Sequence, residues 1–341
     1  MDLPELHRFP LEDLPLSGGG VLREAVLTYR LWGDRGAPAV LLPSYYTGTS
    51  ASQAGIIGPG RALDPERHFI IATDLFGNGM ATSPSHRDGA DRAGFPAISV
   101  EDNVRAQARL LDALGIGRLA LVQGWSLAAI QAWHWAAMFP DRVEAILPVC
   151  GATGCWPLNR VFLSGLRAVL EADPDFSDAW AGPGNAPRAL RAFGRVYAGW
   201  AYSPAFWREG RWRELGFSGP EAMLDWWELD HLRWDSHDLA AALATWEGAD
   251  LARATGAPDL AAALARVTAR VIAMPSDTDR YFTAEENAIE VAAVAGAELR
   301  PIRSGFGHCA GAPGLIPADS AVIEAATREL LPPPRIAAKA V

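Results

Sequence analysis

No run of about eighteen consecutive apolar residues occurs in the chain, so nothing in the sequence spans a bilayer. The first residues, MDLPELHRFPLEDLPL, carry early acids and no apolar core, so no signal peptide is expected. Cysteine is scarce. Cys150, Cys155 and Cys309 are an odd set without framework spacing, which points to a reducing, cytoplasmic setting rather than a disulfide scaffold. There is no C-x-x-C pair and no H-E-x-x-H, so the sequence supports no metal site, and no cofactor is expected. Basic residues are outnumbered, 30 against 40 acids, and the net charge of −10 makes nucleic acid and anionic membranes poor partners. No internal repeat is visible.

What is present is a long, ordinary globular composition. At 341 residues the chain can bury a large core as one domain or a domain with an insertion. Short aliphatic runs predict strands over 25–33, 37–46, 68–79, 118–123 and 144–150, with helices over 98–116 and 127–138 between the later ones. Ser99 and Asp102 resemble a capping box at the start of the first helix. This rhythm predicts an α/β fold with a mostly parallel central sheet and helices on both faces. From 151 to 262 the rhythm breaks into Ala-, Arg- and Trp-rich helical spacing. Core elements then resume at 270–276, 284–295, 297–304 and 320–331. The expected organisation is a core over 1–150, a helical insertion over 151–262, and the rest of the core over 263–341. Nine of the thirteen tryptophans fall between 156 and 246, which fits core packing of that insertion, with several free to line an apolar pocket.

The candidate chemistry centres on VQGWSLAAI, residues 122–130. A predicted strand delivers Gly124-Trp125-Ser126-Leu127-Ala128 to the start of a helix. This is nearly the G-x-S-x-G nucleophile elbow, which needs small residues because the nucleophile's backbone is strained and helix and strand pack closely. A serine there also serves as an ordinary helix cap. The chain order argues for the nucleophile, because an acid after a late strand and a histidine near the end are expected to follow. PSDTDRYF (275–282) offers Asp277 and Asp279, and SGFGHCAG (304–311) offers His308, the one histidine of seven that follows a strand between small residues. In this arrangement His308 takes the Ser126 proton and later returns one to the leaving group, and a carboxylate fixes the imidazole tautomer. The oxyanion requires preorganised N–H donors. Leu127, directly after the nucleophile, supplies one, and Tyr46 in the loop PSYYTGTS supplies the second, with Tyr45 as the neighbouring alternative. Trp125 and Cys309 flank the two reacting residues and, with Tyr45, are the pocket candidates.

The motifs DLFGNGMATSPS (74–85), GWSLAAIQAWHWAAMFPDRV (124–143), LEADPDF (170–176), HDLAAALATWEGADL (237–251), PSDTDRYF and FGHCAG fall in one order over nearly the whole chain. Together they resemble the homoserine O-acetyltransferase family of α/β-hydrolase-fold proteins. The resemblance implies a Ser–Asp–His triad, a helical lid inserted over the sheet, and a homodimer formed through that lid. It puts Asp279 rather than Asp277 at the triad position. It also has departures. The family carries an aspartate after the catalytic histidine, to hold the amino group of homoserine, where this chain has Cys309. It carries a lid arginine for the homoserine carboxylate, where an ungapped match puts Gly194, with Arg191 and Arg195 close by. Its elbow reads Gly-Gly-Ser-Met-Gly-Gly where this chain has Gly-Trp-Ser-Leu-Ala-Ala.

The expected function is therefore hydrolysis of short-chain, acetyl-type esters through an acyl-enzyme on Ser126, with a small-molecule ester as partner. Acyl-CoA-dependent transfer to a hydroxyl acceptor other than homoserine uses the same triad and is the alternative. A non-catalytic protein on the same fold is the third reading.

Overall fold

The computed structural model describes residues 3–88, 91–92, 94–176 and 185–331. Eight strands form one sheet: β1 (His7–Pro15), β2 (Val21–Trp32), β3 (Ala39–Pro43), β4 (Phe69–Thr73), β5 (Leu121–Trp125), β6 (Ala145–Val149), β7 (Arg270–Ala273) and β8 (Glu298–Leu299). They lie in the order β1-β2-β4-β3-β5-β6-β7-β8. β1 and β2 pair antiparallel, and β2 pairs antiparallel with β4. Every remaining pairing is parallel. β3, β4 and β6 are buried along their whole length, which is why they read as unbroken apolar runs rather than alternating ones.

Three sequence expectations need correction. β1 has no counterpart in the run-based reading, because HRFPLEDLP hides its two inward leucines, Leu11 and Leu14, among prolines and charges. Proline is tolerated there because the strand lies at the sheet edge, and register shifts on either side of Glu12 interrupt the pairing. The predicted strand over 297–304 shrinks to Glu298–Leu299 plus a single bridge between Ser276 and Ile302. The strands predicted over 37–46 and 68–79 stop at Pro43 and Thr73, and the residues beyond them leave the sheet to build the site.

α1 (Val100–Ala113) opens with the expected box: the Asp102 N–H donates to Ser99 Oγ (3.0 Å) and the Ser99 N–H to Asp102 Oδ2 (2.9 Å). α2 (Leu127–Met138) follows β5 and is buried on nearly all sides, so its residues show little amphipathic spacing. Between β6 and β7 the described residues form helices and no strand: α3 (Pro157–Glu171), α4 (Pro187–Ala201), α5 (Pro204–Glu209), α6 (Pro220–His231), α7 (Ser236–Glu247), α8 (Leu251–Thr255) and α9 (Leu260–Leu264). The core closes with α10 (Ala284–Ala292) and α11 (Pro317–Leu330). Trp180 lies outside the described residues. Of the other tryptophans between 156 and 246, Trp246 is fully buried, Trp226 is exposed, and the rest are half-buried. Core packing therefore accounts for fewer of them than their clustering suggests.

A buried carboxylate marks the point where the chain leaves β6 for these helices. Glu290 of α10 accepts three hydrogen bonds on Oε1, from the Thr153 N–H (2.9 Å), the Thr153 hydroxyl (2.7 Å) and the Trp156 indole N–H (2.7 Å). Its Oε2 is buried with no partner among the described residues. Burial, with a smaller contribution from Glu286, pushes the carboxyl up to about 7 from the usual 4.5, against the pull of the three donors. The folded protein thus keeps a proton that the unfolded chain releases. The ionisation penalty is absent at low pH, grows between about 4.5 and 7, and is complete above that. In Glu290→Gln the amide oxygen retains the three donors and the charge is gone. The variant is expected to melt higher than the parent at pH 8, by up to a few kcal/mol of stability, and much less so at pH 5. Equal shifts in melting temperature at both pH values would disprove this assignment.

Candidate active site

The site lies at the C-terminal edge of the parallel strands, where loops from β3, β5, β7 and β8 converge. Ser126 connects β5 to α2 with φ 62° and ψ −127°, a left-handed backbone that a non-glycine residue adopts only when its surroundings force it. The forcing is visible in the packing. A Cβ on Gly124 would lie 2.4 Å from the Ala128 backbone and 2.6 Å from its Cβ, and one on Gly151 would lie 2.4 Å from the Ala129 Cβ. Ala128 thus takes the last small position of the elbow by using up the space that glycine at 124 leaves. The Ser126 N–H donates to the Val149 carbonyl (3.0 Å), and its own carbonyl accepts from Ala129 (2.8 Å).

His308 stands in the loop after β8. Its Nδ1 meets Asp279 Oδ2 at 2.7 Å, and both side chains are buried. The other oxygen of Asp279 accepts from the N–H groups of Tyr281 (3.1 Å) and Phe282 (3.2 Å), which fixes which oxygen faces the imidazole. The candidate Asp277 points elsewhere: it accepts from the Ser304 N–H (3.1 Å) and pairs with Arg303 (3.4 Å). The imidazole is bounded by the rings of Tyr281 (centroids 4.5 Å apart), Trp125 (5.0 Å) and Phe282 (5.6 Å). Its Nε2 is buried and has no hydrogen-bond partner among the described residues. With Nδ1 held by a carboxylate, Nε2 is the basic nitrogen left for proton transfer.

Leu127 opens α2, so its N–H has no acceptor one turn back within the helix. The facing loop, 43–50, is tied down by buried side chains. Gln53 Nε2 donates to the Pro43 carbonyl (3.1 Å), Gln131 Nε2 to Ser44 (2.8 Å) and Asn78 Nδ2 to Gly48 (3.1 Å). Asp74 receives the Ser50 N–H (2.6 Å), the Ser50 hydroxyl (3.0 Å) and the Thr28 hydroxyl (2.8 Å). Gln131 is itself held by Gln107 (2.7 Å), whose oxygen accepts from the Trp135 indole (2.8 Å). Sequence reasoning missed this scaffold. The spacing of Leu127, Gln131 and Trp135, four residues apart on one helix face, was the available signal. Within the loop Tyr45 packs edge-on against Trp125 (4.6 Å), while Tyr46 turns away, donates to the Leu239 carbonyl (3.1 Å) and stacks on Tyr197.

Cys309 is buried beside Tyr202, and burial pushes its thiol up to about 12, so it is neutral and cannot hold an ammonium. The position of the family's carboxylate-binding arginine is equally unsuited. A Cβ on Gly194 would lie 2.5 Å from the Trp227 carbonyl, because α4 and α6 cross there. Arg191 pairs with Glu228 (3.2 Å), and Arg195 with Glu221 (3.1 Å), Asp225 (3.0 Å) and Glu228. Both are engaged with acids of α6 rather than with the His308 side of the segment.

Residues 38–204 match the α/β hydrolase fold family. A probable esterase of Corynebacterium glutamicum is 34% identical over 304 residues, covering 86% of this chain and 87% of that protein. The ethyl acetate hydrolase of Pseudomonas veronii is 33% identical over 303 residues, 86% of each chain. The homoserine O-acetyltransferase of Symbiobacterium thermophilum is 36% identical over 189 residues, about half of each (49%). The solved structure of an acetylester hydrolase from Corynebacterium glutamicum superposes with a TM-score of 0.90 at 32% identity, covering 96% of this chain and 95% of that one. The chain belongs to the α/β-hydrolase fold family. Within it, the chain falls among the homoserine O-acetyltransferase-like proteins, on the side of the esterases.

Proposed function

We propose that this protein is a serine carboxylic ester hydrolase that cleaves short-chain, acetyl-type esters. The observation that carries the reading is the Asp279–His308 pair at 2.7 Å, followed by Cys309, a neutral thiol where the resemblance implies the aspartate that holds the amino group of homoserine. Similarity over most of the chain to an ethyl acetate hydrolase supports the acetyl ester as substrate class.

Ser126 Oγ attacks the ester carbonyl while His308 Nε2 takes its proton, and the imidazolium is stabilised by Asp279. The N–H groups of Leu127 and Tyr46 receive the oxyanion. His308 then protonates the departing alcohol, and a water, activated by the same nitrogen, releases the acid and frees Ser126. The helices over 151–262 act as the lid above this centre. Exposed apolar side chains on them, Val161, Val196, Trp226 and Leu229, offer a surface for a homodimer, which light scattering tests. A cytoplasmic location accords with the unpaired Cys150, Cys155 and Cys309.

The deciding experiment is product-resolved turnover of ethyl acetate by the purified protein, with acetyl-CoA and homoserine tested in parallel. Free acetate in a homoserine-independent reaction is the expected result. CoA release that requires an added alcohol would instead establish the transferase.

A further inference from the structure

The hydrogen bonds around His308 fall into two groups. One group fixes the histidine loop to the acid. The Gly307 N–H donates to Thr278 Oγ1 (3.1 Å), the Thr278 hydroxyl donates to the Ser304 carbonyl (2.6 Å), and the Ser304 hydroxyl donates to Asp319 (2.7 Å). The Ser203 hydroxyl adds a bond to the Gly305 carbonyl (2.6 Å). None of these refers to the nucleophile. Among the described residues, one hydrogen bond joins the end of β5 to this loop: the Trp125 indole N–H donates to the carbonyl oxygen of His308 itself (3.0 Å). Trp125 is covalently next to Ser126.

The indole is also shaped into place. It packs across the His308 ring and edge-on to Tyr45. The chain leaves glycine where the indole passes, since a Cβ on Gly311 would lie 2.5 Å from Trp125 Cδ1 and 2.9 Å from Nε1. The indole also borders a small cavity of about 40 Å³, lined by Gly311, Gly124, Gln53, Ile323 and Thr327. Part of the indole thus faces open space, and its N–H bond and two ring contacts hold its position.

We infer that Trp125 is a positioning residue that sets the His308–Ser126 alignment, while Asp279 and Thr278 independently set the His308–Asp279 alignment. The inference rests on the serine hydrolase reading, which the ethyl acetate assay tests separately in the parent protein. The histidine loop and the nucleophile follow different strands, β8 and β5. A one-bond reference between them sets where Nε2 stands relative to Oγ, and loss of alignment of about an ångström costs up to about a hundredfold in rate.

Trp125→Phe keeps an aromatic ring against His308 and Tyr45 but removes the N–H donor together with part of the indole's volume. It is expected to lower kcat about tenfold with KM within about twofold, and to slow fluorophosphonate labelling of Ser126 in parallel. The low-field proton resonance of the His308–Asp279 hydrogen bond should persist unchanged, because its anchors are untouched. Gly311→Ala crowds the same indole with a new Cβ and should reproduce the pattern, which keeps the test open if Trp125→Phe folds poorly. Ile323→Ala, which opens the same cavity without touching the indole bond, should lower the melting temperature and leave kcat within about twofold. Wild-type kcat in a folded Trp125→Phe or Gly311→Ala protein overturns the inference. So does loss of the low-field resonance together with activity, since that means general loosening of the loop.

Discussion

Ser126→Ala is expected to lose ester hydrolysis by roughly 10⁴- to 10⁶-fold while folding as the parent does. The hydroxyl is the only group removed, and no side-chain hydrogen bond of Ser126 caps α2, so the helix loses no cap. Alanine inherits the same left-handed backbone at φ 62° and the same strain. Ser126→Gly should be equally inactive but more stable, by about 1 kcal/mol, because glycine adopts that conformation without penalty. Activity and melting temperature are therefore expected to move in opposite senses in the glycine variant. Turnover above about one per cent of the parent in either variant, or a covalent fluorophosphonate adduct that survives Ser126→Ala, would remove Ser126 from the mechanism.

The second large effect is expected at Asp279→Asn, on the order of 10³- to 10⁴-fold in kcat. The geometry specifies why so conservative a change is severe. Asp279 Oδ1 accepts from two backbone N–H groups, so the asparagine carbonyl must stay at that position. The amide nitrogen then occupies the Oδ2 position, 2.7 Å from His308 Nδ1, and presents a donor where an acceptor stood. The imidazole responds by moving its proton to Nε2, which can no longer take the proton of Ser126. Asp277→Asn is the control and should stay within about twofold, since Asp277 serves Ser304 and Arg303 instead. Comparable losses in the two variants, read as kcat on the same ester, would mean that the His308–Asp279 bond does not set the tautomer.

Much of this site is legible in the sequence because the elbow is a local object. Gly124, Ser126 and Ala128 show strand-to-helix packing within five residues, and chain order alone proposes Asp277, Asp279 and His308. The family resemblance already prefers Asp279 to Asp277, and the fold supplies the physical reason, since the N–H groups of Tyr281 and Phe282 orient it. The loop scaffold of Gln131, Gln107 and Asp74 is harder to see, because its partners lie 24 to 87 residues apart in the chain and each residue taken alone is an ordinary polar side chain. β1 escapes for a different reason. Edge strands answer to one neighbour and to solvent, so prolines and acids cost them little, and the alternation that marks a strand is diluted. The tryptophans mislead in the other direction: their clustering suggests a dense core, yet most are amphipathic residues half-covered between helices.

Ser126 and His308 are each only 2% exposed. An ester is therefore expected to reach Ser126 only when covering side chains move aside, and the second-order rate constant is then expected to carry that fraction as a multiplicative factor; a kcat/KM indifferent to ester bulk would overturn this. Turnover at saturation need not carry it in the same way. Bulky esters are then discriminated at the entrance rather than at the carbonyl, and solvent viscosity acts on kcat/KM before it acts on the chemical step.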